Sequence, residues 1–260
     1  MQLVILCGGL GTRLREETEF RPKPMVPIGG RPILWHIMKY YAHFGIKHFI
    51  LALGYKGDII KDYFLHYDLM NSNVTVALGK PGHYHVHDQH HDERDWTVTL
   101  VHTGDSARKG ARLKRVERFV EGDQFMVTYG DGLSNVDLHA LQKFHNSHGK
   151  MATVTGVNPI ARFGKLEIEP DNRVSAFFEK PQGEGDLVNG GFFVFNRDFF
   201  KHLQDEENCD LEYGPLEALA SQEELMVHRH HGFWACMDTL RDNDYLNGLW
   251  DRNEAPWRCW

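Results

Sequence analysis

The chain has 260 residues, of which 42% are hydrophobic and 25% are charged, and its formal net charge is −7. This length and balance are typical of a globular α/β protein with a sizeable core. The negative charge argues against a general nucleic-acid-binding protein, although a local positive site for phosphates remains compatible with it. No apolar stretch is long enough to span a membrane, no secretory leader is evident, and the four cysteines form no C-x-x-C pair. We therefore expect a cytoplasmic protein with reduced thiols, bound to neither membrane nor nucleic acid.

Strands and helices alternate in the first part of the sequence. The apolar run Leu3–Cys7 predicts a buried strand that leads directly into a glycine-rich loop. The segments predicted after it are the helix Ile33–Phe44, the strand His48–Leu53, the helix Gly57–His66, the strand Val74–Leu78, the strand Gln124–Tyr129, the helix from Asp137 to His148 and the strand Met151–Gly156. This alternation predicts a mainly parallel sheet with helices on both faces.

The later part of the sequence has shorter strands and more turns. Lys165–Glu169 and Arg173–Glu179 flank a turn-rich linker and predict a hairpin. The remaining predicted segments are the strand Asn189–Phe195, the short helix Pro215–Ser221, the strand Leu225–His230 and a closing helix near Thr239–Trp250. No internal repeat or linker divides the chain, so we expect a single domain over residues 1–260.

The loop after the first strand carries the strongest functional signal. Three glycines in G-G-L-G-T-R-L leave the backbone free to bend and let its N–H groups approach a polyanion. Arg13 and Lys23, the latter within R-P-K-P-M, add positive charge where phosphates would lie. The glycine spacing matches neither a Walker loop nor a dinucleotide fingerprint. A glycine-rich segment alone could be a plain tight turn, but the combination of both motifs predicts a phosphate-binding site.

Two aspartates are candidate metal ligands. Asp131 lies between two glycines at the end of a predicted strand, where open α/β sheets bind their ligands. An exposed carboxylate there suits Mg²⁺, although Asp-Gly is also a common turn. Asp238 precedes the closing helix, and from spacing alone a helix N-cap is its leading interpretation.

Three further clusters have both a functional and a plain interpretation. F-E-K-P and N-G-G could contact a second anionic substrate and sugar hydroxyls, or they could be two loops beside the hairpin. T-G-D-S could admit a planar base, whereas Lys114 and Arg115 are expected on a solvated helix face. Five histidines crowd residues 83–91, and alternate histidines can bind a transition metal. Because that segment is polar and turn-rich, we expect an exposed loop there and assign it no metal.

Together these motifs resemble the signature of the sugar-1-phosphate nucleotidyltransferases. Two blocks, L-C-G-G-L-G-T-R-L and T-Y-G-D-G, mark the wider family, while P-I-L-W-H-I-M-K, H-T-G-D-S and the tail A-P-W-R-C-W point to its cytidylyl branch. The resemblance implies a Rossmann-like nucleotide-diphospho-sugar transferase fold, with a mixed, mainly parallel sheet, helices on both faces and a small β-rich substrate subregion. It also implies CTP and glucose 1-phosphate as substrates, Mg²⁺ as cofactor, and a homo-oligomer for which a hexamer is expected.

The same resemblance implies residue roles. Arg13, Lys23 and Asp131 would be catalytic, and Asp131 and Asp238 would bind Mg²⁺. The nucleotide would be held by Leu6, Gly8, Gly9, Leu10, Gly11, Thr12, Arg13, Lys23, Thr103, Gly104, Ser106, Arg112 and Gly130. The sugar phosphate would be held by Tyr129, Glu179, Lys180, Asn189 and Gly190. The nucleotide-binding part would cover about 1–135, and the sugar-phosphate-binding and closing part about 136–260.

Three segments depart from the family pattern, the first being Gly79–Asp95, which is longer and more histidine-rich than expected. The other two leave the acceptor open. N-P-I-A precedes R-F-G, and Gly214 stands before Pro215-Leu216 where the family has a glutamate. One alternative is therefore a CTP-dependent enzyme acting on another phosphorylated acceptor. The other is a non-catalytic nucleotide-binding protein on the same fold, against which the joint presence of Lys23, Asp131 and Asp238 argues.

Overall fold

The computed structural model describes residues 1–9, 11–80, 82–89, 91–159, 165–178 and 187–260. The strands are β1 (Gln2–Cys7), β2 (Pro27–Ile28), β3 (Arg31–Pro32), β4 (His48–Leu53), β5 (Ser72–Val76), β6 (Tyr84–Gln89), β7 (Thr97–His102), β8 (Gln124–Tyr129), β9 (Gly132–Ser134), β10 (Ala152–Val157), β11 (Lys165–Ile168), β12 (Val174–Phe178), β13 (Val188–Asn189), β14 (Phe193–Asn196), β15 (Leu225–His230) and β16 (Trp234–Cys236). The α-helices are α1 (Arg15–Thr18), α2 (Ile33–His43), α3 (Gly57–Leu65), α4 (Tyr67–Met70), α5 (Lys109–Arg115), α6 (Leu138–His148), α7 (Glu217–Ser221) and α8 (Leu240–Asp251). Within the ranges described, no helix has the length and apolar character needed to cross a bilayer.

A mixed sheet organises the fold. Its strand order is β13, β10, β14, β8, β1, β4, β7, and β15 also pairs with β10, in parallel. Strands β7, β4, β1 and β8 run parallel, whereas β14 is antiparallel to both of its neighbours. The register places Leu6 opposite both Ala52 and Tyr129, so the carboxyl ends of β4, β1 and β8 share one edge. The predicted mixed, mainly parallel sheet is confirmed.

The hydrophobic core lies on both faces of this sheet. Alternate residues of β1 point to opposite faces, so Leu3 and Ile5 join one cluster and Val4 and Leu6 join the other. The first cluster includes residues of α2, α6 and α8, and the second includes residues of α5 and α7. Stacked phenylalanines fill much of the second cluster, including Phe125 against Phe200 at 4.7 Å between ring centroids. Helices on both faces are therefore confirmed as well.

The histidine-rich segment differs from its prediction. Tyr84–Gln89 forms β6 and pairs antiparallel with β5, so the prediction of a loop was wrong there, whereas His83, His85 and His87 are exposed as predicted. The strand forms because β5 supplies a partner, with Val86 directly opposite Val74. His91 is buried, and its Nε2 lies 2.9 Å from Asp68 Oδ1, while His90 lies outside the described residues. The predicted hairpin of the later part is present as β11 and β12.

The start of the closing helix also differs from its prediction. Thr239, and not Asp238, is the N-cap of α8. The Thr239 side chain accepts a hydrogen bond from the Asp242 backbone N–H, and the Asp242 carboxylate accepts one from the Thr239 N–H at 2.8 Å. This reciprocal capping box satisfies the helix start. The Asp238 carboxylate is consequently directed towards Lys23 and Arg13.

His36 joins α2 to the tryptophan-rich tail. The buried ring donates from Nε2 to the Ile28 carbonyl at 2.8 Å and accepts at Nδ1 from Trp257 Nε1 at 3.4 Å. The Trp250 ring meets it edge-on, with 4.7 Å between centroids. Burial lowers the pKa of His36 to about 4 from 6.5, because a charged imidazolium would lose its hydration in the core and would also be repelled by Arg31 and Arg258.

We predict that acid weakens the fold through His36. In the unfolded chain, His36 binds a proton below about pH 6.5, whereas in the folded protein its ring stays neutral down to about pH 4. Protons therefore favour the unfolded chain between these values, and stability is lost as the pH falls through this window. Between pH 7 and pH 4.5 the wild type should lose about 2–3 kcal/mol more unfolding free energy than His36→Gln, whose amide can donate but not titrate. Urea unfolding at both pH values measures the difference. Identical losses in the two proteins would contradict this assignment.

Candidate active site

A cavity of about 550 Å³ opens at the carboxyl edge of the sheet. The glycine-rich loop after β1 forms one wall, the end of β8 and Asp131 form the floor, and the start of α5 and the end of β16 close the sides. Ligand sites of open α/β sheets occur at this edge because loops from several strands converge there. The cavity is therefore the candidate active site.

An ion cluster made of Lys23, Asp131, Asp238 and Arg13 lies in this cavity. Lys23 Nζ donates to Asp131 Oδ2 and to Asp238 Oδ1, each at 2.6 Å. Arg13 Nη1 donates to the second oxygen of Asp238 at 2.7 Å. Burial disfavours the charged ammonium, but attraction to Asp131 and the hydrogen bonds to both aspartates prevail and raise the pKa of Lys23 to about 12. Lys23 is therefore a fixed positive charge between two carboxylates.

A short β-ribbon brings the two aspartates together. Strand β9 begins one residue after Asp131 and pairs antiparallel with β16, which places Gly132 opposite Cys236. The backbone N–H of Met237 then donates to the Asp131 carbonyl at 2.9 Å. Two carboxylates from distant parts of the chain are thus set side by side by backbone hydrogen bonds.

The donor atoms at this point fit a divalent cation. One ligand atom each from Asp131, Cys236 and Asp238 lie within 4.8 Å of one another. The two carboxylates offer the oxygen ligands that Mg²⁺ prefers. Cys236 was missed in the sequence because an isolated cysteine gives no metal-binding pattern. Burial and the negative charge of Asp131 raise the pKa of its thiol, so the sulfur stays protonated and is a poor ligand for a hard cation.

Arg112 ties several loops of the cavity together. Its side chain is buried, and it belongs to α5. Its guanidinium donates to the carbonyls of Gly8 (2.9 Å), Leu53 (3.1 Å), Gly104 (2.6 Å) and Asp105 (3.1 Å) and to the Thr103 hydroxyl (2.9 Å). These bonds fix the loops that follow β1, β4 and β7. The neighbouring Lys114 and Arg115 are only partly solvent-exposed, in contrast to the fully solvated face predicted, because they donate to the carbonyls of Phe200 and Thr103.

The structure brings together part of the predicted site. Of the predicted residues, those that line the cavity are Leu6, Gly8, Gly9, Arg13, Lys23, Arg112, Tyr129, Gly130, Asp131, Asn189 and Asp238. Those that do not line it are Gly11, Thr12, Thr103, Gly104, Ser106 and Gly190. The Thr103 hydroxyl instead donates to the Leu53 carbonyl, and the Gly190 carbonyl accepts from Trp234 Nε1. Leu10, Glu179 and Lys180 lie outside the described residues.

A second polar network lies at the Tyr129 side of the cavity, and two of its members, Lys109 and Glu212, were missed in the sequence. Tyr129 OH donates to Glu212 Oε1 at 2.7 Å and accepts from Asn189 Nδ2 at 2.9 Å. Lys109 contacts the same carboxylate oxygen and lies over the Tyr129 ring at 5.1 Å. Lys109 and Glu212 are 103 residues apart, so no spacing motif could join them. Burial and the Glu212 carboxylate raise the pKa of Tyr129, which keeps the phenol protonated as a donor.

Comparisons with known proteins agree with the motifs. The sequence pattern of the nucleotidyl transferase family matches residues 2–239. The chain is 52% identical over 261 residues to the glucose-1-phosphate cytidylyltransferase of Salmonella typhi, with 100% of both chains covered. A probable glucose-1-phosphate cytidylyltransferase of Bacillus subtilis is 40% identical over 268 residues, also with 100% of both chains covered. The resemblance inferred from the motifs is confirmed.

A solved structure supports the fold independently. HddC from Yersinia pseudotuberculosis, complexed with GMP-PN, superposes with a TM-score of 0.67 at 22% identity, over 96% of this chain and 99% of that one. At this identity the likeness concerns the fold alone.

We predict that an alanine substitution destabilises the protein at Gly8 and not at the adjacent Gly9. A Cβ on Gly8 would lie 2.0 Å from Arg112 Cζ, so Gly8→Ala must displace a guanidinium held by several hydrogen bonds. Overpacking of this kind costs about 1–3 kcal/mol. A Cβ on Gly9 meets nothing within 4 Å, so Gly9→Ala is the matched control. Urea unfolding of both variants should show a loss for Gly8→Ala alone, and equal stabilities would refute the role of Arg112 as a fixed support.

Proposed function

The chain belongs to the nucleotidyl transferase family, and from this membership we propose that it transfers a cytidylyl group from CTP to glucose 1-phosphate. The products would be CDP-glucose and pyrophosphate. The observation that carries this proposal is the 52% identity, over the whole length of both chains, to a protein named glucose-1-phosphate cytidylyltransferase. The protein is accordingly an enzyme, a nucleotidyltransferase.

The reaction needs positioning and charge neutralisation more than acid–base catalysis. A phosphate oxygen of the acceptor attacks the α-phosphorus of CTP in line, a new P–O bond forms, and the bond to pyrophosphate breaks. The attacking phosphate is already ionised near neutral pH, so no general base is required. The task of the protein is to align the two phosphates and to stabilise negative charge as it develops.

The residues of the cavity suit these tasks. The loop containing Gly8 and Gly9 would present backbone N–H groups to the triphosphate. Lys23 and Arg13 would take up charge on the departing pyrophosphate. Lys23 is suited to this because its side chain is only 13% exposed and two carboxylates hold its ammonium in place. A preformed charge of this kind needs no rearrangement as the transition state forms.

Asp131 and Asp238 would hold Mg²⁺ when it is bound. The ion would supply positive charge to phosphate oxygens, which is its usual part in phosphoryl and nucleotidyl transfer. The two aspartates also form ion pairs with Lys23 and orient its ammonium. The same two carboxylates would therefore bind the cation and position the lysine. We further propose a role in supplying precursors for polysaccharide biosynthesis and a homo-oligomeric assembly, with a hexamer as the expected form.

We predict that Asp131→Asn and Asp238→Asn each lower kcat by about a thousandfold, because each removes a charge from the cation site and from the contact with Lys23. Pyrophosphate release at saturating CTP, acceptor and Mg²⁺ measures this. Asp198→Asn is the control, since its carboxylate is 65% exposed and pairs only with Lys201 among the contacts described for it. Near-normal turnover by either site variant would remove that residue from the proposed machinery.

The proposed function itself is tested with a nucleotide panel. With glucose 1-phosphate and Mg²⁺, we expect CTP to exceed UTP in kcat/KM by about tenfold to a hundredfold. Cytosine donates from N4 where uracil accepts, and a mismatched buried polar group costs about 1–3 kcal/mol. ATP and GTP should be rejected. Equal use of CTP and UTP would overturn the cytidylyl assignment, and absence of turnover with any nucleotide would overturn the enzyme assignment.

A further inference from the structure

The Tyr129 side of the cavity is separated from the glycine-rich loop by the order of the sheet. Arg112 fixes loops that follow β1, β4 and β7, all on one side of β8. Asn189 belongs to β13, which pairs with β10 on the other side of β8. Neighbouring strands lie about 4.8 Å apart, so the two groups of loops define two halves of the cavity. If the nucleotide follows the glycine-rich loop, the second half is the place for the acceptor.

In this second half of the cavity, the side chain of Glu212 has an incomplete set of hydrogen bonds. Its Oε1 accepts from Tyr129 OH and is contacted by Lys109. Its Oε2 is buried, and among the described residues no group donates to it, while the Asp210 carboxylate, itself an acceptor, lies close enough to interact with the Glu212 side chain. A carboxylate oxygen held out of water without a donor is costly unless a ligand supplies one. The missing partner must be a hydrogen-bond donor, and a sugar hydroxyl is such a group.

The backbone presents Glu212 rigidly. The Asp210 carboxylate accepts from the backbone N–H groups of Leu211 at 2.8 Å and Glu212 at 3.2 Å. Two residues beyond Glu212, the chain reverses at Gly214, whose φ of +104° is strained for a residue with a side chain. The glycine before Pro215, which departs from the expected family pattern, therefore lies in the turn next to Glu212.

We propose that Glu212 is a specificity-determining residue that accepts a hydrogen bond from one hydroxyl of the acceptor sugar through Oε2. Tyr129 and Lys109 hold the carboxylate by its other oxygen, and Asn189 in turn holds the Tyr129 hydroxyl. The inference rests on the proposed function, because it assigns the sugar of that reaction to this half of the cavity. It adds a residue to which neither the motifs nor the relatives' names give a role.

The test pairs Glu212→Gln with a series of substrates. The acceptors are glucose 1-phosphate and its 2-, 3-, 4- and 6-deoxy analogues, each assayed for kcat/KM at saturating CTP. Because the variant replaces the charged carboxylate of Glu212 by a neutral amide, its kcat/KM for glucose 1-phosphate should be lower by about tenfold or more. With the one analogue that lacks the contacted hydroxyl, wild type and variant should be equal. The KM for CTP should change by less than about twofold.

Controls separate this effect from a general disturbance. Asp198→Asn alters an exposed carboxylate that pairs with Lys201 and does not line the cavity, and it should leave kcat/KM unchanged for all acceptors. Tyr129→Phe removes the donor that orients Glu212 and should reproduce a weaker form of the same pattern. Glu212→Asp, which retracts the carboxylate by one methylene, replaces Glu212→Gln if the latter does not fold. Isothermal titration should show weaker binding of CDP-glucose, but not of CDP, to the variant.

The outcomes distinguish this inference from the proposed function. If wild type forms no CDP-glucose, the proposed function fails. If wild type is active but Glu212→Gln loses the same factor on every deoxy analogue, or raises the KM for CTP instead, the hydroxyl contact is refuted and the function stands. If wild type and Glu212→Gln have equal kcat/KM with a single deoxy analogue and differ with the others, the contact is supported. The hydroxyl missing from that analogue is then the one that Glu212 contacts.

Discussion

The attraction between one lysine and two aspartates is the interaction on which the site depends. Lys23 lies 108 residues from Asp131 and 215 residues from Asp238, and its ammonium joins both carboxylates. Two carboxylates set this close repel each other unless a cation lies between them. The pairing of β9 with β16 fixes the backbones, and Lys23 balances the charges. The same arrangement would then hold positive charge against the phosphates of a substrate.

On the glycine-loop side of the cavity, Arg112 holds the loops together, as Lys23 holds the two aspartates. A buried guanidinium must find acceptors for its donors, and here backbone carbonyls of separate loops supply them. Because those loops follow β1, β4 and β7, a single side chain sets their mutual positions. The small residues beside it, Gly8 and Gly54, leave the room that its guanidinium occupies. Rigid loops of this kind suit a reaction that depends on alignment.

The two halves of the cavity are built by different means. The glycine-loop half is made of short loops at the ends of parallel strands, and its cations lie close in sequence to the glycines. The Tyr129 half is a network of side chains from α5, β8, β13 and the turn at Glu212. The first half suits phosphates, which are the same in every nucleotide. Under the proposed function, the second half, with its directional donors and acceptors, would distinguish one sugar acceptor from another.

The sequence by itself determined the fold class, because hydrophobic periodicity encodes it locally, and its short motifs predicted a phosphate-binding loop and site roles for Lys23 and Asp131. The metal role predicted for Asp238 came from the family resemblance. Only the tertiary structure decided that Thr239 caps α8, that the histidine-rich segment contains a strand, and that Arg112 supports loops from within the core. It alone joined Lys109 to Glu212 and placed Cys236 beside the aspartates. These contacts link residues far apart in the chain, and their partners are fixed by strand pairing and core packing, which no local pattern of residues records.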